Sequence, residues 1–371
     1  MGHKVTVVTS TYAKSDIRSD SFISRFKIDG IDIIHINVRI DNKAGFSSRV
    51  FAFVSYCIVA SYFAVTERSD VAIASSGPIT VGIPGIIARI LGGKGLVFEV
   101  RDLWPSGVVE LGILKNPLLI KACFLLERTC YRLSRRIITL SPGMTDNIKH
   151  RYGLQDVFDV TNSANIELMR TGQGFIIPKV IQGKKIILYT GNIGAVNNST
   201  LLLDVARVLK QRNLSDYFVL LVGDGQQSNE LQDQAHREHL DNFMIHPLVP
   251  KTQLASLVRA SFASIVPLKN APILNTSSPN KLFESLAAGI PVIQTTSGWI
   301  KDLLHDFQMG ATVSPDDPNA LVDILVQWSS DQTGYRKICT NAAAYAERHF
   351  DKNVLAYKMM ILIGGRMKPQ R

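Results

Sequence analysis

Short runs of β-branched and apolar residues alternate with longer segments of helical spacing, and this rhythm occurs twice along the chain. The first set of runs is 4–9, 31–36, 71–75, 96–100 and 136–140, and the second is 185–190, 217–222, 242–246, 262–267 and 291–294. Strands that alternate with helices predict a parallel sheet covered by helices. We therefore expect an α/β fold of two tandem Rossmann-like domains, with ligands in the cleft at the carboxyl ends of the strands.

The rhythm restarts after residues 166–183, which predicts the domain organisation. We expect an N-terminal Rossmann-like domain over 1–165, a linker over 166–183 and a C-terminal domain over 184–345. Residues 346–371 predict a C-terminal helix, able to pack back on the N-terminal domain, and a basic tail. A doubly wound domain usually opens with a strand, a glycine-rich turn and a helix. Here the pattern begins with the second strand, so we expect the first strand, loop and helix to be absent.

The composition limits the class of protein. Hydrophobic residues make up 46% and charged residues 19% of the 371 residues, which predicts a large core and excludes disorder. The net charge of +10 favours anionic partners. No helix-turn-helix or RNP-like pattern occurs, so nucleic acid is the weakest candidate among the anionic partners. The four cysteines form no CxxC pair. Without a recognisable secretory signal, we expect a cytoplasmic protein.

Residues 50–66 (VFAFVSYCIVASYFAVT) form an uncharged run near the lower length limit of a membrane span. Serine and threonine interrupt this run, and a predicted strand follows it closely. We interpret it as a buried helix rather than a membrane span. Partial insertion at a membrane surface is the alternative that the sequence leaves open.

Basic residues outnumber acidic ones by eight to two between Lys115 and Arg151. Within this region Arg128, Arg132 and Arg136 recur every four residues along or just beyond one predicted helix. The other face of that helix is predicted to carry Leu118, Leu119, Phe124 and Leu125. A cationic stripe beside an apolar one suits an anionic membrane surface or a lipid diphosphate. A solvated helix face is the alternative.

The segment TSSPNKLFESLAAGIPVI (276–293) predicts a helix that Ser278 caps and in which Pro279 is the first residue. The N–H groups of such a first turn suit an anion. Lys281 and Glu284 share one face, where the lysine is placed for phosphate oxygens and the carboxylate for two ribose hydroxyls. A capped surface helix with a Lys281–Glu284 ion pair is the alternative.

Two glycine turns follow predicted strands in the second half. YTGNIGAVNN (189–198) predicts a turn whose backbone, at Gly191 and Gly194, can approach a diphosphate closely. LVGDGQQ (221–227) is interpreted as an ordinary strand-to-helix turn, with Gly223 lining the cleft.

One charged segment ends a strand in the first half. FEVRDLWP (98–105) places Arg101 and Asp102 at the carboxyl end of that strand. Asp102 is suited to accept a proton or orient a hydroxyl, and Arg101 to stabilise a phosphate. A structural Arg101–Asp102 network is the alternative.

Taken together, these motifs resemble those of glycosyltransferase family 4, the retaining sugar-nucleotide transferases with the glycosyltransferase B fold. The resemblance covers nearly the whole chain. It rests on RDLWP (101–105), ITLSPGM (138–144), YTGNIG (189–194), LVGDG (221–225) and SPNKLFESLAAGIPVI (278–293). Within the family the chain is most similar to L-fucosamine and related amino-sugar transferases of O-antigen and capsule synthesis.

The resemblance implies roles for the residues in these motifs. It implies an acceptor site with catalytic Arg101 and Asp102, and a ribose held by Glu284. It places the donor diphosphate against Gly191, Asn192 and Gly194, beside Gly223, and against the helix start at Ser278, Asn280 and Lys281. It also implies that no metal or other cofactor is required, because helix N-termini and basic side chains replace the cation.

The sequence departs from the family pattern at two positions near the expected donor site. Many members carry a first Glu eight positions before the residue matched by Glu284, and this chain has Thr276 there. Residues 195–198 lack the basic residue that often follows the glycine loop. Lys281 and Lys269 are then the candidates for diphosphate charge.

The function expected from this resemblance is retaining transfer of an N-acetylated amino sugar from a UDP-sugar to a polyprenyl-diphosphate-linked acceptor. Such a step belongs to O-antigen, lipopolysaccharide or capsule assembly at the cytoplasmic face of the inner membrane, whose anionic surface would hold the enzyme peripherally. Two alternatives remain: an enzyme similar to UDP-N-acetylglucosamine 2-epimerases, and a non-catalytic sugar-nucleotide-binding partner.

Overall fold

The computed structural model describes residues 2–12, 19–40 and 46–364, with backbone only for 12, 39–40 and 46–50. The predicted basic tail, from residue 365 onward, lies outside this range. The chain forms two compact units. The first comprises Met1–Thr139 and Ile148–Phe158, and the second comprises Leu140–Asn147 and Asp159–Arg371.

The strands of the first unit form two sheets. One sheet has the order β1-β3-β2, in which β1 runs parallel and β2 antiparallel to β3. The other has the order β4-β5-β6-β7. The strands are β1 (Thr6–Tyr12), β2 (Ile23–Ile28), β3 (Ile31–Ile40), β4 (Val71–Ser75), β5 (Gly95–Val100), β6 (Arg136–Thr139) and β7 (Val157–Asp159).

Strands β1 and β4 are edge strands in the described part of the first unit. In a doubly wound sheet of order 3-2-1-4-5-6, β3 and β1 take positions 3 and 2, and β4 takes position 4. No described strand therefore occupies the position of the expected first strand. Val7 on β1 and Ile73 on β4 are exposed.

Five helices belong wholly or partly to the first unit. They are α1 (Phe46–Thr66), α2 (Gly82–Ile90), α3 (Ser106–Glu110), α4 (Pro117–Leu133) and α5 (Pro142–Tyr152). Helix α1 packs on β1, β3 and α2, while α2 packs on β4, β5 and α4. Helices α1, α2 and α4 thus form one layer. Gly82 of α2 allows close packing, because a Cβ atom there would lie 2.2 Å from Cys130 Sγ on α4.

A buried carboxylate joins α4 to α5 in the first unit. Glu127 is fully buried and accepts hydrogen bonds from the hydroxyls of Tyr131 and Tyr152 and, at 3.4 Å, from Arg151 Nη2. Burial raises the pKa of Glu127, which these donors oppose. Arg151 also donates to Ser106 Oγ at 2.9 Å, the first residue of α3. The network therefore holds the start of α3, directly after the RDLWP segment.

The second unit contains one parallel sheet of order β10-β9-β8-β11-β12-β13. Its strands are β8 (Lys185–Asn192), β9 (Tyr217–Asp224), β10 (Phe243–His246), β11 (Ala263–Val266), β12 (Val292–Gln294) and β13 (Gly310–Thr312). From β8 the chain first proceeds through β9 to β10 and then returns to β11 on the other side of β8. The strand order therefore reverses between β8 and β11, which is where doubly wound sheets bind ligands.

The central strands of this sheet are buried on both faces. Ile187, Leu188, Val219 and Leu220 are fully buried, as expected for a parallel sheet with helices on each side. The covering helices are α6 (Ile166–Thr171), α7 (Ser199–Gln211), α8 (Ser228–Arg237), α9 (Lys251–Arg259), α10 (Asn280–Ala287), α11 (Trp299–Asp306), α12 (Pro318–Ser330), α13 (Gln332–His349) and α14 (Lys352–Ile363).

The sequence located ten strands, and the structure confirms each of these within a few residues. It missed β2, β7 and β13. Strands β7 and β13 have only three residues each, too few for a periodic pattern. Strand β2 forms a hairpin with β3 through Asp29 and Gly30, and its charged residues weaken the apolar signal.

The units divide the chain differently from the predicted 1–165, 166–183 and 184–345. Residues 159–165 belong to the second unit, where Ala164 N–H donates to Phe350 O and Ala164 O accepts from Lys352 N–H. Asp159 also pairs with Lys358 of α14 at 3.2 Å. Helix α14, predicted as able to pack back on the N-terminal domain, is thus part of the second unit.

Candidate functional site

The carboxyl ends of β8 and β9 approach each other unusually closely. Gly191 pairs with Gly223, and a Cβ atom at Gly223 would lie 1.8 Å from Gly191 O. Gly191 has φ +131°, a conformation that side chains rarely adopt. Gly223, interpreted from sequence as an ordinary turn residue, is therefore required by the contact between the two strand ends.

The turns on either side of the reversal point are joined by a backbone hydrogen bond. Lys269 N–H, after β11, donates to Val196 O, after β8, at 3.1 Å. Lys269 itself is exposed, so its side chain is accessible for an anion. The structure therefore brings the YTGNIG turn and the segment after β11 together, as their positions after neighbouring strands predict.

Lys281 of α10 lies against the glycine turn. Its Nζ is 3.8 Å from the ring centroid of Tyr189, and a Cβ atom at Gly191 would be 3.3 Å from it. Burial lowers the pKa of Lys281 to about 7, while Glu284 opposes the shift. A cation this poorly hydrated gains from an anionic ligand, because the ligand replaces lost solvation.

Ser278 does not cap α10, which corrects the sequence prediction. The helix begins at Asn280, and Pro279 occupies the N-cap position without a side-chain hydrogen bond. Ser278 Oγ is buried without a hydrogen-bond partner. Since no side chain caps this end, the N–H groups of the first turn retain the partial positive charge of a helix start.

The segment before α10 is held by side chains that the sequence analysis did not identify. Three consecutive carbonyl oxygens accept one hydrogen bond each: Thr276 O from Ser141 Oγ (2.5 Å), Ser277 O from Trp299 Nε1 (2.8 Å) and Ser278 O from Asn162 Nδ2 (2.7 Å). These bonds fix the peptide planes that lead into the helix. The position and direction of the helix start are therefore preorganised.

Glu284 forms an ion pair with Lys251 of α9, not with Lys281. The alternative interpretation, a Lys281–Glu284 ion pair, is therefore wrong as a direct contact, although the two residues share one helix. The Glu284 side chain keeps 16% of its surface exposed, whereas Lys251 keeps 61%. A ligand that approaches Glu284 thus competes with an exposed cation.

The remaining residues of the glycine turn differ in accessibility. Asn192 is exposed, and its carbonyl oxygen accepts a hydrogen bond from Tyr189 Oη at 2.5 Å. Gly194 is buried, and its N–H donates to Ser199 Oγ at 3.0 Å. Of the backbone N–H groups predicted to face a diphosphate, that of Gly194 is therefore already engaged.

Thr276 stands where relatives in the resembling family carry a Glu, and it supplies no carboxylate. Its hydroxyl donates to Ile273 O at 2.7 Å within its own short 3₁₀ helix (Pro272–Thr276). Within the described ranges, no cluster of three or more His, Cys, Asp or Glu side chains is arranged to hold a metal ion.

Arg101 and Asp102 follow β5 in the first unit, as predicted. Arg101 N–H donates to Ser76 Oγ at 3.1 Å, which ties this turn to the end of β4. Asp102 keeps solvent-exposed surface, yet surrounding protein atoms raise the pKa of its carboxyl group, and Arg101 opposes this effect. Asp102 is therefore a stronger base than an ordinary surface carboxylate.

The predicted basic stripe is only partly on one helix. Arg128 and Arg132 are exposed on α4, but Arg136 is the first residue of β6. Arg136 cannot continue the stripe because α4 ends at Leu133. Leu118 and Leu125 are exposed. Leu118, Leu125, Arg128 and Arg132 are successively separated by seven, three and four residues, so they lie on the same face of α4. The prediction that these leucines lie on the opposite face is therefore wrong.

Comparison with known families connects this site to a class of protein. Residues 176–348 match the family described as Glycosyl transferases group 1. This part of the chain is similar to glycosyl transferases group 1 domains. It contains the strand reversal, the glycine turn and α10.

Two curated relatives carry names of the same kind. The chain is 21% identical to a probable glycosyltransferase, WbjE, of Pseudomonas aeruginosa over 70% of its length. It is 30% identical to a putative colanic acid biosynthesis glycosyl transferase, WcaI, of Escherichia coli over 46% of its length. The matched regions span 66% and 41% of these two relatives.

Solved structures show the same fold. HepE of Anabaena, crystallised with UDP, is 16% identical, with a TM-score of 0.63 over 88% of this chain and 85% of that one. At this identity the likeness concerns the fold alone. It identifies the two Rossmann-like units as a glycosyltransferase B fold, as the sequence predicted.

The sequence analysis did not identify two residues of the matched segment 176–348. Tyr189 lies two positions before Gly191 on β8 and could have been recognised from strand alternation. Lys251 lies 33 positions before its partner Glu284. No local pattern links these two residues, so only the tertiary structure reveals the pair.

The Gly191–Gly223 approach generates a stability prediction. Gly223→Ala forces a methyl group into Gly191 O and should lower the free energy of unfolding by about 3 kcal/mol or more. Urea denaturation, followed by the fluorescence of Trp299 and Trp328 in the second unit, measures this change. Gly77→Ala is the matched control, because no atom lies within 4 Å of a Cβ there. Equal denaturation midpoints for the two variants would contradict the constraint.

Proposed function

We propose that this protein is a retaining glycosyltransferase that takes its sugar from a UDP-sugar and transfers it to a polyprenyl-diphosphate-linked acceptor in surface polysaccharide assembly. The observation that carries the proposal is Lys281, a half-buried cation that faces the glycine turn at the strand reversal of the segment that is similar to group 1 domains. Structures of HepE with UDP and with UDP-glucose support a nucleotide-sugar donor.

The donor diphosphate would bind between the glycine turn and the start of α10. Gly191 leaves room for close approach, Lys281 supplies charge, and the N–H groups at Asn280 and Lys281 supply helix-end dipoles. Lys269 is a second accessible cation. The carboxylate of Glu284 would leave its ion pair with Lys251 and accept hydrogen bonds from the ribose hydroxyls instead. Ser278 Oγ, buried without a partner, is a further donor to a ligand oxygen.

These groups account for the chemistry without a metal ion. Transfer breaks the bond from the anomeric carbon to a diphosphate oxygen and forms a bond to the acceptor oxygen. Negative charge accumulates on the leaving diphosphate while the sugar becomes oxocarbenium-like. Lys281 and the helix start stabilise that charge, and their fixed positions mean that little reorganisation is needed. A chelator should therefore leave activity unchanged.

The acceptor would be received by the first unit. Asp102, with its raised pKa, is suited to orient the acceptor hydroxyl and take up its proton. Arg101 is suited to hold a phosphate of the acceptor. The relatives named for colanic acid biosynthesis and as a probable glycosyltransferase support a polysaccharide pathway. The N-acetylated amino sugar rests on the SPNKLFE and RDLWP motifs.

Activity assays decide between this proposal and its two alternatives. We expect transfer from a UDP-N-acetylamino sugar to a polyprenyl-diphosphate-linked acceptor, with the anomeric configuration of the donor retained in the product. An epimerase-like enzyme would convert the UDP-sugar without acceptor. A binding partner would retain UDP without turnover under either condition, and both of these results would contradict the proposal.

Glu284 provides a test of the donor site alone. Glu284→Ala should weaken UDP binding by roughly 1 to 3 kcal/mol, since hydrogen bonds to an ionised carboxylate are lost. Isothermal calorimetry with UDP measures this change. Glu347→Ala, which removes an exposed Glu paired with Arg170, is the matched control and should bind UDP normally. Unchanged affinity in the Glu284 variant would reject its contact with ribose.

Lys281 predicts a pH dependence of UDP affinity. Because its pKa lies at about 7, Lys281 is charged below that pH and becomes neutral above it. UDP affinity should therefore fall as the pH rises through 7. Lys281→Arg, which stays charged, should lose this fall, and Lys251→Arg should retain it. Calorimetric titrations between pH 6 and 8 measure the UDP affinity of all three proteins. Ionisation of UDP affects the three proteins equally, so it cancels when their pH profiles are compared. The same profile in all three proteins would exclude Lys281 as the diphosphate cation.

A further inference from the structure

Helix α1 exposes a row of large apolar side chains. Phe51, Ile58 and Tyr62 are 74%, 67% and 64% exposed, and Val54 and Val65 are exposed as well. Their spacing of three or four residues places them on one face. The opposite face packs inward through Ala52, Cys57, Ala60 and Phe63. The sequence interpretation of a buried helix is therefore right for one face of α1 and wrong for the other.

This outer face is unusual for a helix in water. Residues 51–66, the part of α1 whose side chains the structure describes, contain no charged side chain, so the outer as well as the inner face of this part is largely apolar. Such a helix normally lies within a core or a membrane. In the described part of the chain, no helix has the length and apolar character to cross a bilayer. Half of α1 is already packed against the first unit, which leaves the outer face for contact with another surface.

The neighbouring helices α2 and α4 also expose apolar side chains. Helix α2 packs against both α1 and α4. At its end Ile90 and Leu91 are 62% and 71% exposed, and on α4 Leu118 and Leu125 are 78% and 65% exposed. Exposed apolar surface distributed over three adjacent helices is characteristic of an interaction surface rather than of scattered single residues.

The exposed charges on α4 are basic. Lys121, Arg128 and Arg132 are exposed on α4, and their spacing places them in the same stripe as Leu118 and Leu125. Leucine and basic side chains in one stripe match the boundary of an anionic bilayer, where phosphates lie just above the acyl chains.

A protein partner fits this surface less well. Protein interfaces carry about one hydrogen bond per 100–200 Å². In the outer row of α1, only Tyr62 has a polar side-chain atom. A lipid surface needs no such pairing, because the acyl region contains no hydrogen-bonding groups.

We infer that helix α1 docks in the plane of an anionic bilayer, with Phe51, Ile58 and Tyr62 inserted at the boundary of the acyl chains. Lys121, Arg128 and Arg132 then lie at the lipid phosphates. The inference deepens the proposed function, in which the acceptor carries a polyprenyl chain. It makes the apolar face of α1, rather than the arginine stripe alone, the main attachment to the membrane.

Vesicle cosedimentation tests the attachment without donor or acceptor. The probe is phosphatidylethanolamine vesicles that contain phosphatidylglycerol. The double variant Phe51→Ser, Ile58→Ser should lower the partition coefficient at least about tenfold, because two large apolar contacts are lost. The matched control, Ile176→Ser with Leu248→Ser, removes two exposed apolar residues of the second unit and should bind normally. Wild-type binding by the α1 variant would overturn the inference.

Vesicles of different lipid charge separate the electrostatic contribution of the α4 arginines from the apolar contribution of α1. Arg128→Glu with Arg132→Glu should weaken binding to phosphatidylglycerol vesicles and leave the weaker binding to neutral phosphatidylcholine vesicles unchanged. The α1 double variant should weaken both. Loss of all binding in the arginine variant alone would show that α1 does not insert.

A spectroscopic measurement does not depend on serine variants that fail to fold. In Phe51→Trp, brominated lipids should quench the added fluorescence, and in Ile176→Trp they should not. Equal quenching, or none at Phe51→Trp, would contradict insertion. If the protein instead forms a dimer that the α1 variants dissociate, the face is a self-association surface and the lipid assignment is wrong. Because UDP binding is measured separately, failure here leaves the donor site unaffected.

Discussion

The contact between the ends of β8 and β9 is the constraint on which the candidate site depends. A side chain at Gly223 would collide with Gly191 O at 1.8 Å, so the two strands can remain paired to their ends only with glycine there. The turn after β8 then passes close to Lys281, and its backbone at Asn192 is held by Tyr189. A cation, an uncapped helix start and an open backbone turn therefore meet at the strand reversal.

Buried polar groups make this arrangement rigid. The carbonyl oxygens of residues 276–278 are each bound by a side chain from another segment, which fixes the path into α10. In the first unit, Glu127 and Arg151 similarly hold the start of α3. These networks are costly to break, because each would leave a buried polar group without a partner. Preorganisation of this kind is what electrostatic stabilisation of a leaving group requires.

The two units have different surfaces. The second unit buries its central strands between helices on both sides. In its described part, the first unit has two separate sheets and a layer of helices with exposed apolar side chains. Helix α1 illustrates why sequence patterns alone are ambiguous here. An uncharged run predicts contact with an apolar environment, but it does not distinguish a protein core from a lipid surface.

The sequence by itself determined the α/β class and ten strand positions, and it predicted Gly191, Lys281 and Glu284 as site residues, because periodicity, glycine turns and helix starts are local signals. Only the tertiary structure decided that Gly223 is sterically required, that Glu284 pairs with Lys251 and that Ser278 does not cap α10. It also placed Arg136 on a strand and turned one face of α1 outward. Each of these depends on segments far apart in sequence, since packing and strand pairing act between residues that no local pattern connects.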